Sequence, residues 1–174
     1  QRGFAVASVS YRFSQEAIFP AQTQDTKAAI RWLRAHAAEY GINPDRIGVS
    51  GDSAGGHLVA MLATSGGVKE LEDAGADPAT SRVQAVVDFY GPTQLERMND
   101  GPGAMDHDSP DSPESQLIGG VLQQNPDLAR RANPAGETNH PSAGRQQSHA
   151  GAPAWQRTSQ AIQRATGHRL GRVP

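Results

Sequence analysis

The stretch "RIGVSGDSAGGHLVAML", residues 46–62, is the most informative about the fold, because it places a glycine-bracketed serine between two apolar runs. The first run follows a turn at Asn43, Pro44 and Asp45 and predicts a buried strand over residues 46–50. The second run predicts a helix over residues 54–64. This short segment therefore predicts a strand that turns directly into a helix, with the serine at the turn.

Residues 51–55 match the pattern G-x-S-x-G, in which a strained strand-to-helix turn lifts a serine hydroxyl clear of a sheet. We predict Ser53 as a nucleophile and the backbone N–H of Ala54, at the helix start, as an oxyanion donor. Gly51 and Gly55 are predicted to flank a turn too tight for side chains, and Asp52 fills the variable position as a loop contact. In the alternative interpretation the turn binds a phosphate or only packs tightly, and Ser53 is incidental.

The rest of the chain up to residue 134 alternates strand-like and helix-like segments. Apolar runs predict strands at residues 4–9 and from residue 83, and a three-to-four-residue apolar period predicts an amphipathic helix over residues 22–40. An acidic segment rich in Gly, Pro and Ser, residues 99–116, predicts a loop, and residues 115–131 predict one or two short helices. This alternation is typical of a parallel α/β sheet with right-handed crossovers.

Composition excludes several classes of protein. The 174 residues carry a formal charge of −2, which provides no basic face for nucleic acid or an anionic membrane. The absence of cysteine excludes disulfides, thiolate metal sites and cysteine nucleophiles. No apolar stretch is long enough to span a bilayer. Because the chain begins without Met, its compartment and any signal peptide are left open. The sequence does not predict an oligomeric state.

Charge and hydropathy both change near Pro134. Residues 1–134 hold eleven Lys or Arg against seventeen Asp or Glu, whereas residues 135–174 hold five Arg against Glu137 alone. The second segment has only Trp155, Ile162, Leu170 and Val173 as large apolar residues, too few to line a core. We predict one domain over residues 1–134, followed by a disordered tail that is either a divergent terminus or a translated wrong reading frame.

Residues 10–62, "SYRFSQEAIFPAQTQDTKAAIRWLRAHAAEYGINPDRIGVSGDSAGGHLVAML", resemble the bacterial esterase and feruloyl-esterase-like branch of the α/β-hydrolases, relatives of the hormone-sensitive-lipase type and of prolyl oligopeptidases. The resemblance continues through "VQAVVDFYGPTQL" and covers about residues 3–134. It implies a partial α/β-hydrolase fold: a mostly parallel sheet with flanking helices, lacking strands at both ends. It also implies hydrolysis of small-molecule carboxylic esters through an acyl-enzyme, without a cofactor.

Several parts of that family's machinery are not found in the sequence. The resemblance implies a His-Gly-Gly loop upstream, an acid in a His-Gly-x-x-Asp context and a later histidine, and none of these motifs is present. His57 is interpreted as a satisfied helix histidine, His36 as solvated, and Asp88 as a hydrogen-bonding residue at a strand end. The remaining histidines, His140, His149 and His168, lie in the predicted tail, where nothing positions them over Ser53.

Residues 106–108, "DHD", are interpreted as a solvated acidic loop in preference to a metal site, because adjacent loop residues rarely converge on one ion. Two alternatives to an active esterase stay open. One is an incomplete or non-catalytic remnant that binds esters at the nucleophile elbow, the turn of residues 51–55, without turning them over. The other is a serine peptidase that resembles prolyl oligopeptidase.

Overall fold

Two parallel strands and the helix that connects them form the centre of the fold. The computed structural model describes residues 3–72, 80–101, 103 and 105–136. Its strands are β1 (Gly48–Asp52) and β2 (Ala85–Phe89), and its α-helices are α1 (Ala21–Ala35), α2 (Ala54–Thr64), α3 (Pro113–Ile118) and α4 (Pro126–Arg131). Short 3₁₀ helices lie at Lys69–Leu71, Leu95–Asp100 and Leu122–Gln124. The predicted α/β class is confirmed.

The register of the two strands places their carboxyl ends side by side. Gly48 lies opposite Ala85, and Asp52 lies opposite Phe89. The strand β1 begins at Gly48 rather than at the predicted Arg46, because the N–H of Ile47 donates to the side-chain oxygen Oε1 of Gln84 at 2.9 Å. The residues that follow β1 and β2 therefore emerge at the same edge of the sheet.

The connecting helix α2 is buried on most sides. Val59 packs against Val86 of β2, and Leu62 packs with Ile30 and Ile47 in a second cluster. The largest cluster contains Met61 and seven other buried side chains: Phe19, Leu71, Leu95, Ile118, Leu122, Ala129 and Ala132. An apolar surface on all sides is expected of a helix that contacts both the sheet and the other helices. The bounds predicted for this helix are confirmed.

Helix α1 ends earlier than its apolar period predicts. The prediction extended to Tyr40, but the helix ends at Ala35 and is followed by turns. Gly41 adopts a left-handed backbone with φ of 62°, and the N–H of Ile42 donates to the carbonyl of Ala37 at 3.0 Å. A left-handed glycine closes such a turn without strain. The last turns of the predicted helix are therefore used to redirect the chain toward β1.

The strand predicted at residues 4–9 is not formed. These residues have no regular secondary structure, and the side chains of Phe4 and Val6 are 87% and 93% exposed. A strand requires a hydrogen-bonded neighbour, and the sheet of the described residues contains only β1 and β2. The apolar pattern predicted a buried strand that has no partner in the described residues. The predicted disordered tail falls, apart from residues 135–136, outside the residues that the structure describes.

A buried ion-pair cluster joins α1 to the segment that follows α2. The Nζ atom of Lys27, whose side chain is 1% exposed, donates to the carbonyl of Ser65 at 2.7 Å and to Oε1 of Glu72 at 2.8 Å. Glu72 also accepts from Nη1 of Arg31 at 2.6 Å and from the hydroxyl of Ser81 at 2.9 Å. Burial lowers the pKa of Lys27, and the carboxylate of Glu72 opposes that shift. This cluster replaces the water that the lysine loses on folding.

Candidate active site

Ser53 lies in the tight turn between β1 and α2. Its backbone has φ of 50° and ψ of −118°, a region that non-glycine residues adopt only at a cost of about 1–3 kcal/mol. The N–H of Ser53 donates to the carbonyl of Phe89 at 3.0 Å, and its own carbonyl accepts from the N–H of His57 at 3.0 Å. The residue is exposed, and its side chain forms no capping hydrogen bond to α2. The turn thus presents the Ser53 hydroxyl at the carboxyl edge of the sheet.

The turn is held tight by the close approach of Gly51 to Gly55. A Cβ atom on Gly51 would lie 2.3 Å from the carbonyl oxygen of Gly55 and 2.4 Å from its carbonyl carbon. These are backbone atoms, which cannot rotate away, so the prediction that Gly51 has no room for a side chain is confirmed. The same prediction for Gly55 is wrong, because a Cβ there would meet no atom within 4 Å. The Cβ position of Gly55 points away from Gly51, although the carbonyl group of Gly55 contacts it.

Two further glycines bring the loop after β2 against the first turn of α2. A Cβ on Gly91 would lie 2.3 Å from the backbone nitrogen of His57, and a Cβ on Gly56 would lie 2.4 Å from Oδ1 of Asp88. No local sequence pattern predicted this contact. The only signals for it were the second glycine of "AGGH" and the "YGP" turn after the strand. The contact fixes the position of the loop at residues 90–92 relative to the nucleophile turn.

The predicted oxyanion donor stands at the start of α2. Ala54 is the first residue of the helix and is exposed. The first N–H groups of a helix have no acceptor within it and point toward the positive end of its dipole. The N–H of Ala54 is therefore free of the helix ladder, next to the nucleophile. Asp52, in the variable position, is the exposed last residue of β1 and makes no hydrogen bond that would link it to Ser53.

His57 is buried on α2 and is not directed to Ser53. Its Nδ1 atom lies 3.0 Å from the carbonyl of Pro92, which can only accept, so Nδ1 carries the proton. Its Nε2 atom is buried and has no hydrogen-bond partner among the described residues. Burial lowers the pKa of His57, against the opposing effects of the Pro92 carbonyl and the charge of Glu114. The predicted satisfied histidine is confirmed at one ring nitrogen and wrong at the other.

The other described histidines are also engaged elsewhere. The Nδ1 atom of His36 lies 2.9 Å from the carbonyl of Trp32, and the two rings stack with their centroids 4.3 Å apart. The Nδ1 atom of His107 lies 3.0 Å from Oε2 of the buried Glu114. Within residues 3–136, as far as they are described, these contacts leave no histidine at Ser53. His140, His149 and His168 lie outside the described residues.

Asp88 holds the turn that follows β2. Its Oδ1 atom accepts a hydrogen bond from the N–H of Gly91 at 2.8 Å. The carboxyl group is half-buried, and this burial raises its pKa, while the bond from Gly91 opposes the shift. The interpretation of Asp88 as a hydrogen-bonding residue at a strand end is confirmed. Its carboxylate shapes the loop beside the nucleophile turn.

The acidic loop at residues 106–108 is held by a hydrogen bond within the loop and by others to Asn99 and Glu114. Oδ1 of Asp106 accepts from Nδ2 of Asn99 at 3.1 Å and from the N–H of Asp108 at 3.0 Å. Among the described residues, no three His, Asp or Glu side chains are grouped closely enough to hold a metal ion. Among the helices of the described residues, none combines the length and the apolar character that a membrane span needs.

The α/β-hydrolase class is defined by a parallel strand, a strained serine turn and a helix that begins beside that serine. Comparison with known proteins places the chain in the esterase branch of this class. The sequence model of the BD-FAE family matches residues 1–142. The chain therefore belongs to the BD-FAE family, as its resemblance to feruloyl-esterase-like sequences predicted.

Individual relatives support the same assignment. The chain is 38% identical over 98 residues to the probable carboxylic ester hydrolase LipM of Mycobacterium tuberculosis, a match that covers 56% of this chain and 22% of LipM. Among solved structures, it is 38% identical to a truncated carbohydrate esterase from gut microbiota, with a TM-score of 0.67 over 74% of this chain and 48% of that one. An esterase of Thermogutta terrifontis is 27% identical, with a TM-score of 0.56 over 92% of this chain and 55% of that one. The chain thus spans about a fifth of LipM and about half of each of these two structures.

Proposed function

We propose that the protein hydrolyses carboxylic esters of small molecules with Ser53 as its nucleophile. The observation that carries this proposal is the backbone of Ser53, a non-glycine residue with φ of 50° that is exposed at the sheet's carboxyl edge and directly precedes α2. Such strain is characteristic of functional sites, where the surrounding structure holds a residue in an unfavourable conformation. The names of LipM and of the esterase structures support the same reaction.

The reaction divides into two transfers of the acyl group. The hydroxyl oxygen of Ser53 attacks the ester carbonyl and loses its proton to a general base, while the N–H of Ala54 stabilises the developing oxyanion. The tetrahedral intermediate collapses, the protonated alcohol leaves and an acyl-serine remains. Water then attacks the acyl-serine by the same route and releases the acid. The histidines of the described residues are engaged elsewhere, so a histidine acting as this base would lie outside those residues.

The test uses the full product of the gene that encodes these 174 residues, beside the chain itself. Hydrolysis of p-nitrophenyl acetate and covalent labelling by a fluorophosphonate are measured for the parent, for Ser53→Ala and for Ser50→Ala. Ser50 is a matched control, because it is an exposed serine on β1 three residues before the nucleophile.

We expect Ser53→Ala to abolish labelling and to reduce kcat/KM by at least about a thousandfold, and Ser50→Ala to retain both. Labelling that persists in Ser53→Ala refutes the assignment of the nucleophile. A full-length parent that neither labels nor hydrolyses esters refutes the proposed reaction and favours a remnant that only binds esters.

A further inference from the structure

We propose that Tyr90 is a substrate-contacting residue whose ring forms one wall of the ester site beside Ser53 and favours esters that carry a ring next to the carboxyl group. This inference rests on the proposed function and adds a specificity determinant to it. It follows from the position of Tyr90 in the fold, its backbone conformation and the exposure of its side chain.

The register of the sheet places Tyr90 next to the nucleophile. Asp52 and Phe89 are paired at the ends of β1 and β2, so Ser53 and Tyr90 are the first residues beyond the two paired ends. The N–H of Ser53 donates to the carbonyl of Phe89, the residue before Tyr90, at 3.0 Å. Backbones of adjacent strands lie about 4.8 Å apart. A tyrosine side chain from this position is long enough to border the same space as the serine hydroxyl.

The backbone of Tyr90 is strained in the same sense as that of Ser53. Tyr90 has φ of 48°, and these two are the only non-glycine residues with positive φ in the described part of the chain. Bulky side chains rarely adopt this conformation, which glycine adopts freely. Gly91, the next residue, is not in the left-handed region, so the chain places a large aromatic residue at the strained position and a glycine beside it.

The contacts on both sides of Tyr90 explain how the strain is maintained. Oδ1 of Asp88 accepts from the N–H of Gly91, and the carbonyl of Pro92 accepts from Nδ1 of His57. Gly91 lies so close to the first turn of α2 that it has no space for a Cβ atom. The backbone is thus held by contacts on both sides of residue 90, which maintains the positive φ of Tyr90.

The side chain of Tyr90 packs little against the described residues, because the residue is 79% exposed. A strained, exposed aromatic residue at the carboxyl edge of a parallel sheet, where α/β proteins bind their ligands, is explained by contact with a ligand. An aromatic ring offers a flat apolar face, which stacks on another ring. The ligand feature that this face selects is therefore a ring in the acyl or alcohol part of the ester.

The test compares kcat/KM for a ring-bearing ester, phenyl acetate, with that for ethyl acetate, in the full gene product. The variants are Tyr90→Ala, Tyr90→Phe and Tyr90→Gly. Tyr40→Ala is the matched control, because Tyr40 is a 59% exposed tyrosine beyond α1, away from the sheet edge. Thermal unfolding of every variant is measured beside the kinetics, because a tyrosine with only a structural role would change stability and not selectivity.

We expect Tyr90→Ala and Tyr90→Gly to lower kcat/KM for phenyl acetate about tenfold and that for ethyl acetate less than twofold. Tyr90→Phe and Tyr40→Ala should retain the parent selectivity, and Tyr90→Gly should unfold at or above the parent temperature, since glycine removes the strain. Equal losses on both esters, or a lower unfolding temperature with unchanged selectivity, overturn the inference while the proposed function stands. A parent without ester hydrolysis overturns both.

Discussion

Replacing Gly51 with alanine is expected to disrupt the nucleophile turn, whereas replacing Gly55 with alanine is not. The two glycines occupy equivalent places in the G-x-S-x-G pattern, one on each side of Ser53. In the structure they differ, because a Cβ on Gly51 would meet the backbone of Gly55, while a Cβ on Gly55 would face open space. Comparing the two variants therefore shows whether the turn needs glycine for lack of space at Gly51 or at both glycines of the pattern.

The magnitude follows from the distances. A Cβ atom on Gly51 would lie 2.3 Å from the carbonyl oxygen of Gly55. The optimal distance between non-bonded heavy atoms is about 3.5 Å. The start of α2 must therefore move by about 1.2 Å relative to β1. Such overpacking typically costs about 1–3 kcal/mol of folding stability. A misplacement of about 1 Å at a reacting group costs about a hundredfold in rate.

Gly55→Ala has the opposite expectation. Gly55 is the second residue of α2, and alanine is favoured over glycine within a helix by about 1 kcal/mol. The free energy of unfolding of this variant should equal or exceed that of the parent. Its hydrolysis of p-nitrophenyl acetate should stay within about threefold of the parent, because the backbone around Ser53 is unchanged.

The assay combines urea unfolding with the rate of fluorophosphonate labelling at Ser53. Labelling reports on the nucleophile even where turnover is slow, so a loss of labelling that exceeds the loss of folded protein identifies a displaced turn. Equal stability and equal labelling rates for Gly51→Ala and Gly55→Ala would contradict a steric requirement for glycine at position 51. A larger effect at Gly55 would contradict the close approach of the Gly51 α-carbon to the backbone of Gly55.

Two further predictions concern buried charge. Glu72→Gln should lower the free energy of unfolding by about 3 kcal/mol, because it leaves Lys27 buried without its carboxylate, and the double variant with Lys27→Met should recover part of that loss in urea unfolding. No recovery would contradict a buried pair. Burial lowers the pKa of His57 below 6.5, so the unfolded chain binds a proton at His57 more readily than the folded chain does. The free energy of unfolding should therefore fall as the pH falls below about 6.5. His57→Gln should reduce the slope of stability against pH between 6.5 and 5; an unchanged slope would assign the acid sensitivity to other groups.

Local sequence patterns predicted the elements that carry the site. The helix over Ala54–Thr64 and the two strands were found because apolar periodicity and turn residues report on local backbone structure. The strand expected at residues 4–9 was wrong, because a strand also depends on a partner that no local pattern reveals. The early end of α1 was not predicted for a related reason. The turn closed by Gly41 directs the chain toward β1, and local helical propensity does not report on that direction.

By itself, the sequence determined that a serine stands between a strand and a helix in a member of the α/β-hydrolases. The tertiary structure was needed to show that the turn requires glycine at position 51 and what His57 and Asp88 contact. It also showed that Tyr90, beside Ser53, has a strained backbone. The physical reason is that periodicity is a property of neighbouring residues along the chain. Steric room and hydrogen-bond partners depend instead on how segments about 35 residues apart, such as Ser53 and Phe89, approach one another.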